Sequence, residues 1–281
     1  MTSEAIGDDF PSSEDAYTAQ FSTAYPGCIL ILMDQSASMG IEWRDGETKA
    51  AAAARAINTM LVDTILKSTR GDEIADRAHI GIIAYGKERG GPVFILGSEN
   101  QLIPVSQLER EAVGTWSMDV DGLPTEVPKW VEEHTGPGGT PMAATFDLAH
   151  SVLQNWVNAH PDSPAPVVMH ITDGESTDGD PTPNARKVME LRTNDGHALV
   201  FNCHITEKDV AQIEFPANDR EISSLSNAQV MFLMSSPLPG PMWEAARLQG
   251  FEIQPGARGC VYQADRGTLI RFINFGSTSL V

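Results

Sequence analysis

Along the chain, short runs without a polar residue alternate with segments whose apolar positions recur every three or four residues. The first run, Cys28-Ile29-Leu30-Ile31-Leu32-Met33, is continuously apolar, the pattern of a central parallel strand covered on both faces. From Thr48 to Ser68, Ala52, Ala56, Ile57, Met60, Leu61 and Ile65 fall at helical spacing, and the alanines add helix propensity until Gly71 ends it. His79 to Tyr85 reads as a second buried strand and Val93 to Leu96 as a short third. Met142, Phe146, Ala149, Val152, Leu153 and Trp156 then predict a helix from Met142 to Ala159, and Pro141 suits its start. Further strands are predicted at Val167–Ile171, His197–Ile205 and Gly259–Tyr262, and further helices at Ala185–Asn194, Ala228–Met234 and Pro241–Gln249. A closing helix from Arg266 to Phe275 begins after Asp265 as its cap.

Strands alternating with helices predict a Rossmann-like, doubly wound α/β domain with a mostly parallel central sheet. Two segments stand outside that rhythm. Residues 1–24 carry Glu4, Asp8, Asp9, Glu14 and Asp15 and no basic residue, which predicts a flexible acidic lead-in from which Phe21 and Tyr25 dock on a domain spanning 25–281. Residues 98–137 hold Pro104, Pro124, Pro128 and Pro137 and no sustained period. They read as a long irregular insertion with a short helix near 106–112, and so long a loop is usually functional. Trp116, Met118 and Trp130 within it either form an exposed partner surface or pin the insertion to the body.

The net charge of −19 on 281 residues argues against direct contact with nucleic acid or an anionic membrane. Acid-biased solubility and a functional negative surface both account for it. The N-terminus lacks a basic start and an apolar core, and no stretch reaches the roughly 20 apolar residues of a membrane span. Cys28, Cys203 and Cys260 sit in or beside apolar runs, as buried thiols of a reducing compartment do. The expected location is the cytoplasm.

Three separated pieces offer hard oxygen donors where a strand hands over to a loop or helix. They are Asp34-Gln35-Ser36-Ala37-Ser38, Gly138-Gly139-Thr140-Pro141 and Ile171-Thr172-Asp173-Gly174. In an open α/β sheet such positions lie on the ligand-binding edge. Alternation in Asp-x-Ser-x-Ser turns three oxygens to one side of an extended segment. Gly138-Gly139 permits a tight bend before Thr140, whose hydroxyl either caps the next helix or serves as a ligand. Two carboxylates and three hydroxyls suit a small hard cation such as Mg²⁺, with Mn²⁺ or Ca²⁺ as alternatives.

The order Asp-x-Ser-x-Ser, then Thr, then Asp resembles the metal-ion-dependent adhesion site of von Willebrand factor type A domains. The resemblance covers residues 26 to 275. The runs from Ile171 to Pro181 and Gly256-Ala257-Arg258-Gly259 resemble stand-alone bacterial members linked to tellurite resistance or encoded beside protein phosphatases and kinases. It implies that Asp34, Ser36, Ser38, Thr140 and Asp173 hold a divalent metal, with Gln35, Gly139 and Glu175 around it. It implies an intracellular protein-binding module whose protein partner, such as a phosphatase or kinase of the same system, supplies an Asp or Glu carboxylate. In the family that the chain resembles, metal engagement can be coupled to a shift of the last helix, here Arg266 to Phe275.

Glu175, Asp178 and Asp180 crowd the loop after Asp173 as a second cation site, a selectivity rim or a solvated turn. A phosphoester hydrolase with Asp34 as nucleophile wants a second Asp two residues on, where Ser36 stands. No Gly-x-Ser-x-Gly elbow, P-loop or paired-histidine spacing occurs. The expectation is a binding module and not an enzyme, with that hydrolase and a metal-indifferent assembly subunit as the competing readings.

Overall fold

In the computed structural model, which describes residues 16–43, 46–120, 122–222 and 226–277, the apolar runs become neighbours in one sheet. The chain first forms β1 (Gly27–Asp34), α1 (Lys49–Ser68), a small hairpin of β2 (Thr69–Arg70) and β3 (Glu73–Ile74), then β4 (Ala78–Tyr85), β5 (Val93–Leu96) and β6 (Ile103–Pro104). A second hairpin, β7 (Gly114–Val120) and β8 (Leu123–Lys129), leads to α2 (Met142–Ala159), β9 (Val167–Thr172), α3 (Thr182–Glu190) and β10 (Leu199–Ile205). The remainder comprises β11 (Ile213–Glu214), α4 (Ser226–Leu233), α5 (Gly240–Leu248), β12 (Cys260–Ala264) and α6 (Arg266–Ser277).

The sheet order is β11-β12-β10-β9-β1-β4-β5, with β6 also on β4. The central strands pair in parallel, and β5, β6 and β11 run antiparallel at the edges. Every residue of β1 is buried, which is what its unbroken apolar run anticipates. Ile29, Ile31 and Met33 face a core shared with α1 and α6, while Cys28, Leu30 and Leu32 face α2 and α3. Each such buried side chain contributes about 1.5–3 kcal/mol. A doubly wound α/β sheet is therefore the observed fold.

Helix α1 leads from β1 to β4 on one face, whereas α3 leads from β9 to β10 on the other. The connections leaving β1 and β9 therefore part, opening the crevice where such sheets bind ligands. Register sets its floor: Met33 lies opposite Ile171 and Asp34 opposite Tyr85.

The segment read as an irregular insertion carries real structure. A 3₁₀ helix at Val105–Glu111 stands where a short helix was expected, and β7 and β8 pair from Gly114↔Lys129 to Val120↔Leu123. Pro124 and Pro128 obscured the second strand. They are tolerated because this hairpin is a separate two-stranded sheet, with no further strand waiting for their missing N–H groups. Trp130 is buried and donates its indole N–H to Leu108 O at 2.7 Å. Asn58 of α1 accepts from the Trp130 and Val131 amides at 2.9 and 3.0 Å and donates to Val131 O at 2.8 Å. Trp116 and Met118 pack partly buried on the same core. All three side chains pin the insertion to the body.

The acidic positions of the expected lead-in, residues 1–15, lie outside the described residues. Residues 17–21 belong to the body: Tyr17 O–H accepts from His197 N, Thr18 and Ala19 amides bind Asp195 Oδ1, and Phe21 is buried. Tyr25 is half exposed. Helix α3 begins three residues earlier than expected, with Asp180 accepting from Thr182 N at 2.9 Å, and stops at Glu190. Asp265 accepts from Thr268 N at 2.8 Å as the cap of α6.

Candidate metal centre

Strand β1 delivers Asp34 to the sheet edge fully buried. One carboxylate oxygen accepts from Ser36 N at 2.8 Å and the other from Thr172 Oγ1 at 2.6 Å, across from the end of β9. The chain then turns into a short 3₁₀ helix at Ala37–Gly40. Ser36 Oγ and Ser38 Oγ lie 3.1 Å apart, and Ser38 Oγ donates to Asp173 Oδ1 at 2.8 Å. Oxygens of Ser36, Ser38 and Asp173 are thus joined through one another, and Asp34 is tied to them through the Ser36 amide, although β1 and β9 are far apart in sequence.

Thr140 arrives from a third direction. Its amide donates to Thr177 Oγ1 at 2.9 Å and its carbonyl accepts from Thr177 N at 3.0 Å, tying its loop to the one after β9. Its hydroxyl lies against Gly174, 3.6 Å from where a Cβ there would stand. The helix-capping role is taken elsewhere: Asp178 accepts from the Ala143 and Ala144 amides at 3.1 and 2.9 Å at the start of α2. That leaves the Thr140 hydroxyl out of the cap.

The acidic loop resolves in the same way. Asp178 caps α2, Asp180 caps α3, and the exposed Glu175 accepts from Asn227 Nδ2 of α4. Each has a local structural role. Gln35 is buried and lines a neighbouring cavity of about 350 Å³ with Tyr85, Lys87, Trp130 and His134, so its side chain sits inside the edge and not on its rim. Gly139 has φ +77°, and a Cβ there would come 3.0 Å from Thr177 Oγ1. Its turn needs glycine.

Five contributors escaped the sequence reading. Thr172 orients Asp34. Gly86 has φ +89°, and a Cβ on it would lie 2.7 Å from both Gly139 O and Ser36 N. It lets the first two loops close on one another. Its only sequence signal was a glycine just past a buried strand. Lys49, at the first turn of α1, places Nζ 2.7 Å from Asp173 Oδ2 and hydrogen-bonds Glu207 Oε2 at 2.6 Å. The contact with Asp173 is an ion pair by distance but lacks hydrogen-bond alignment, and Asp173 Oδ2 remains buried without a hydrogen bond. It is a charge contact between two buried side chains. His204 stacks on Tyr262 at 4.3 Å, and burial lowers its pKa to about 4.

Burial pushes the Asp34 carboxyl up to about 6, against the lowering effect of its bonds to Thr172 and Ser36. Asp34 is a carboxylate buried at a cost, and the Ser36 and Ser38 hydroxyls are linked to the Asp173 carboxylate; such a set fits an oxygen-liganded cation. The donor set passes that test.

Beneath the site runs a buried polar chain. The Asn202 amide donates to Met234 O and Ser235 Oγ, both at 2.9 Å, so its carbonyl oxygen accepts from His170 Nδ1 at 2.9 Å. His170 Nε2 then accepts from Tyr85 O–H at 2.7 Å. Burial lowers the His170 pKa from 6.5 to about 4. A depressed histidine contributes stability that is present above 6.5 and lost as pH falls toward 4, at most about 3 kcal/mol here. Urea unfolding at pH 7 and pH 4.5 should show a smaller acid loss for His170→Gln than for the parent. Equal losses would remove His170 from this account.

No family model and no curated protein matches the chain. Solved structures do. The pilus adhesin SpaC of Lactobacillus rhamnosus GG aligns over 93% of this chain and 31% of its own, at 13% identity and TM-score 0.51. This chain therefore spans about a third of SpaC. The von Willebrand factor domain of the type V pilus tip protein Mfa5 of Porphyromonas gingivalis aligns over 54% of this chain and 39% of its own, at 14% identity and TM-score 0.34. No helix among the described residues is long and apolar enough to cross a membrane. At such an identity the likeness to SpaC is one of fold alone.

Proposed function

We propose that this chain is a divalent-metal-dependent protein-interaction module and not an enzyme. Asp34, Ser36, Ser38, Thr140 and Asp173 hold Mg²⁺, or Mn²⁺ or Ca²⁺, in the manner of a metal-ion-dependent adhesion site. The observation that carries this reading is the hydrogen bond from Ser38 to Asp173, which joins the serine loop after β1 to the carboxylate after β9. When bound, the ion supplies a coordination position for an anionic group. Hydroxyl ligands withdraw less of its charge than carboxylates would, so it favours one further carboxylate, here from an Asp or Glu of a protein partner. The ion also reverses the local field of a strongly acidic protein, which otherwise repels such a partner.

The stand-alone bacterial resemblance supports an adaptor role in a cytoplasmic signalling or stress-response complex, with a phosphatase or kinase of the same system as the partner. The three cysteines are free and buried, in keeping with a reducing compartment. Mg²⁺ titrated into the full chain should give a saturable heat. Immobilised protein should retain an acidic partner from lysate and release it to chelator. Asp34→Ala and Asp173→Ala should lose both. Unchanged metal uptake by the two folded variants would refute the proposal.

A further inference from the structure

We infer that Lys49 is a tethered cation that competes with the metal for Asp173, and that Glu207 is the group that receives it when the metal enters. The inference rests on the metal-site reading above. Lys49 breaks a local rule: a basic residue in the first turn of a helix opposes the helix dipole. It is also nearly fully buried, its side chain 3% exposed. A buried ammonium needs compensation, and its two partners differ. The Asp173 side chain is wholly buried and belongs to the candidate ligand set. Glu207 follows β10 and its side chain is 32% exposed.

Geometry separates the two contacts. Lys49 makes a true hydrogen bond to Glu207 at 2.6 Å but only an unaligned charge contact to Asp173 at 2.7 Å. The weaker-oriented contact is the one a divalent ion would replace. Because the ion and the ammonium carry like charge on one shared carboxylate, each opposes the other. Without a metal, Lys49 neutralises Asp173 and holds the loops after β1, β9 and β10 together. With one, Lys49 keeps Glu207. The site would accordingly be tuned to moderate metal affinity, so that a partner carboxylate adds appreciably to metal retention.

Mg²⁺ titration calorimetry on the full-length parent, Lys49→Met, Lys49→Arg and Glu207→Gln tests this, with circular dichroism and thermal midpoints as controls for folding. Lys49→Met should bind Mg²⁺ on the order of tenfold more tightly. Lys49→Arg, which keeps the charge, should stay near the parent. Glu207→Gln should bind several-fold more weakly, because Lys49 then has Asp173 alone. A purely structural lysine predicts a lower thermal midpoint for Lys49→Met and no tightening, which would overturn the inference while leaving the metal site intact. Should Lys49→Met fail to fold, unaltered affinity in Glu207→Gln overturns it instead. If neither the parent nor Lys49→Met takes up Mg²⁺, Mn²⁺ or Ca²⁺, both this inference and the metal reading fall.

Discussion

Asp34→Asn should weaken divalent-metal binding severely while leaving the metal-free protein at least as stable at pH 7 as the parent. The two halves have one cause. Asp34 is buried at the end of β1, and its charged form accepts from Ser36 and from Thr172 Oγ1. Desolvation outweighs those bonds and pushes its pKa from 3.8 to about 6. A carboxyl raised in this way adds stability below its unfolded value and loses that stability as pH rises through 6. At pH 7 the metal-free fold bears a penalty of about 3 kcal/mol from this one charge. Asparagine keeps the shape and removes the charge, at the loss of about 1 kcal/mol from a reoriented Thr172 hydroxyl. The parent should gain stability between pH 6 and pH 4 relative to the variant, opposite in sign to the histidine effect above. Removing one of two carboxylate ligands should weaken Mg²⁺ binding at least on the order of a hundredfold. Calorimetry and urea unfolding, run together, read both halves. A variant that is less stable and still binds Mg²⁺ would show that Asp34 is a structural acid.

Gly86→Ala should produce the largest loss of both stability and site. The glycine stands at φ +89°, where an L-residue is strained, and its missing Cβ is the space into which Gly139 O and Ser36 N fit at 2.7 Å. Those neighbours are backbone and cannot swing aside. Relief requires the Asp-x-Ser-x-Ser loop to part from the Gly138-Gly139-Thr140 loop. Strain and lost packing together should cost roughly 3 kcal/mol or more, seen as a lower denaturant midpoint. Metal affinity should drop even in the fraction that folds. Gly46→Ala is the control, since its φ is +78° but nothing among the described residues lies within 4 Å of where a Cβ would stand. It isolates backbone strain from the collision. Equal midpoints for the two variants would show that the close approach at Gly86 has no energetic consequence.

The central sheet was legible because β1, β4, β9 and β10 are buried on both faces and so carry apolar residues at nearly every position. No arrangement but an interior one suits Cys28 to Met33. Helices α2 and α6 were legible for the converse reason: each buries one stripe, so its period shows, whereas α1, buried over most of its surface, was legible also from its alanines. Hairpin β7–β8 was hidden because it pairs only with itself, lies mostly exposed and packs on the core through only a few residues such as Trp116, Met118 and Val127, with Pro124 and Pro128 breaking the second strand's pattern. Within the site, Asp34, Ser36, Ser38, Thr140 and Asp173 were visible as oxygen donors at the ends of predicted elements. Local spacing and strand ends determine where such residues fall along the sheet edge.

Which donor answers which acid was settled only by the packing. Asp178 rather than Thr140 caps α2, because parallel strands bring the loop after β9 over that helix start. Gln35 turned inward because the β1 edge is covered by the insertion. Lys49 and Glu207 gave no sequence signal of a site, and Thr172 and Gly86 only a weak one, since each acts through a neighbour dozens of residues away. A chain can display the donors that a ligand requires, but the charge balance among them depends on distances that only folding creates.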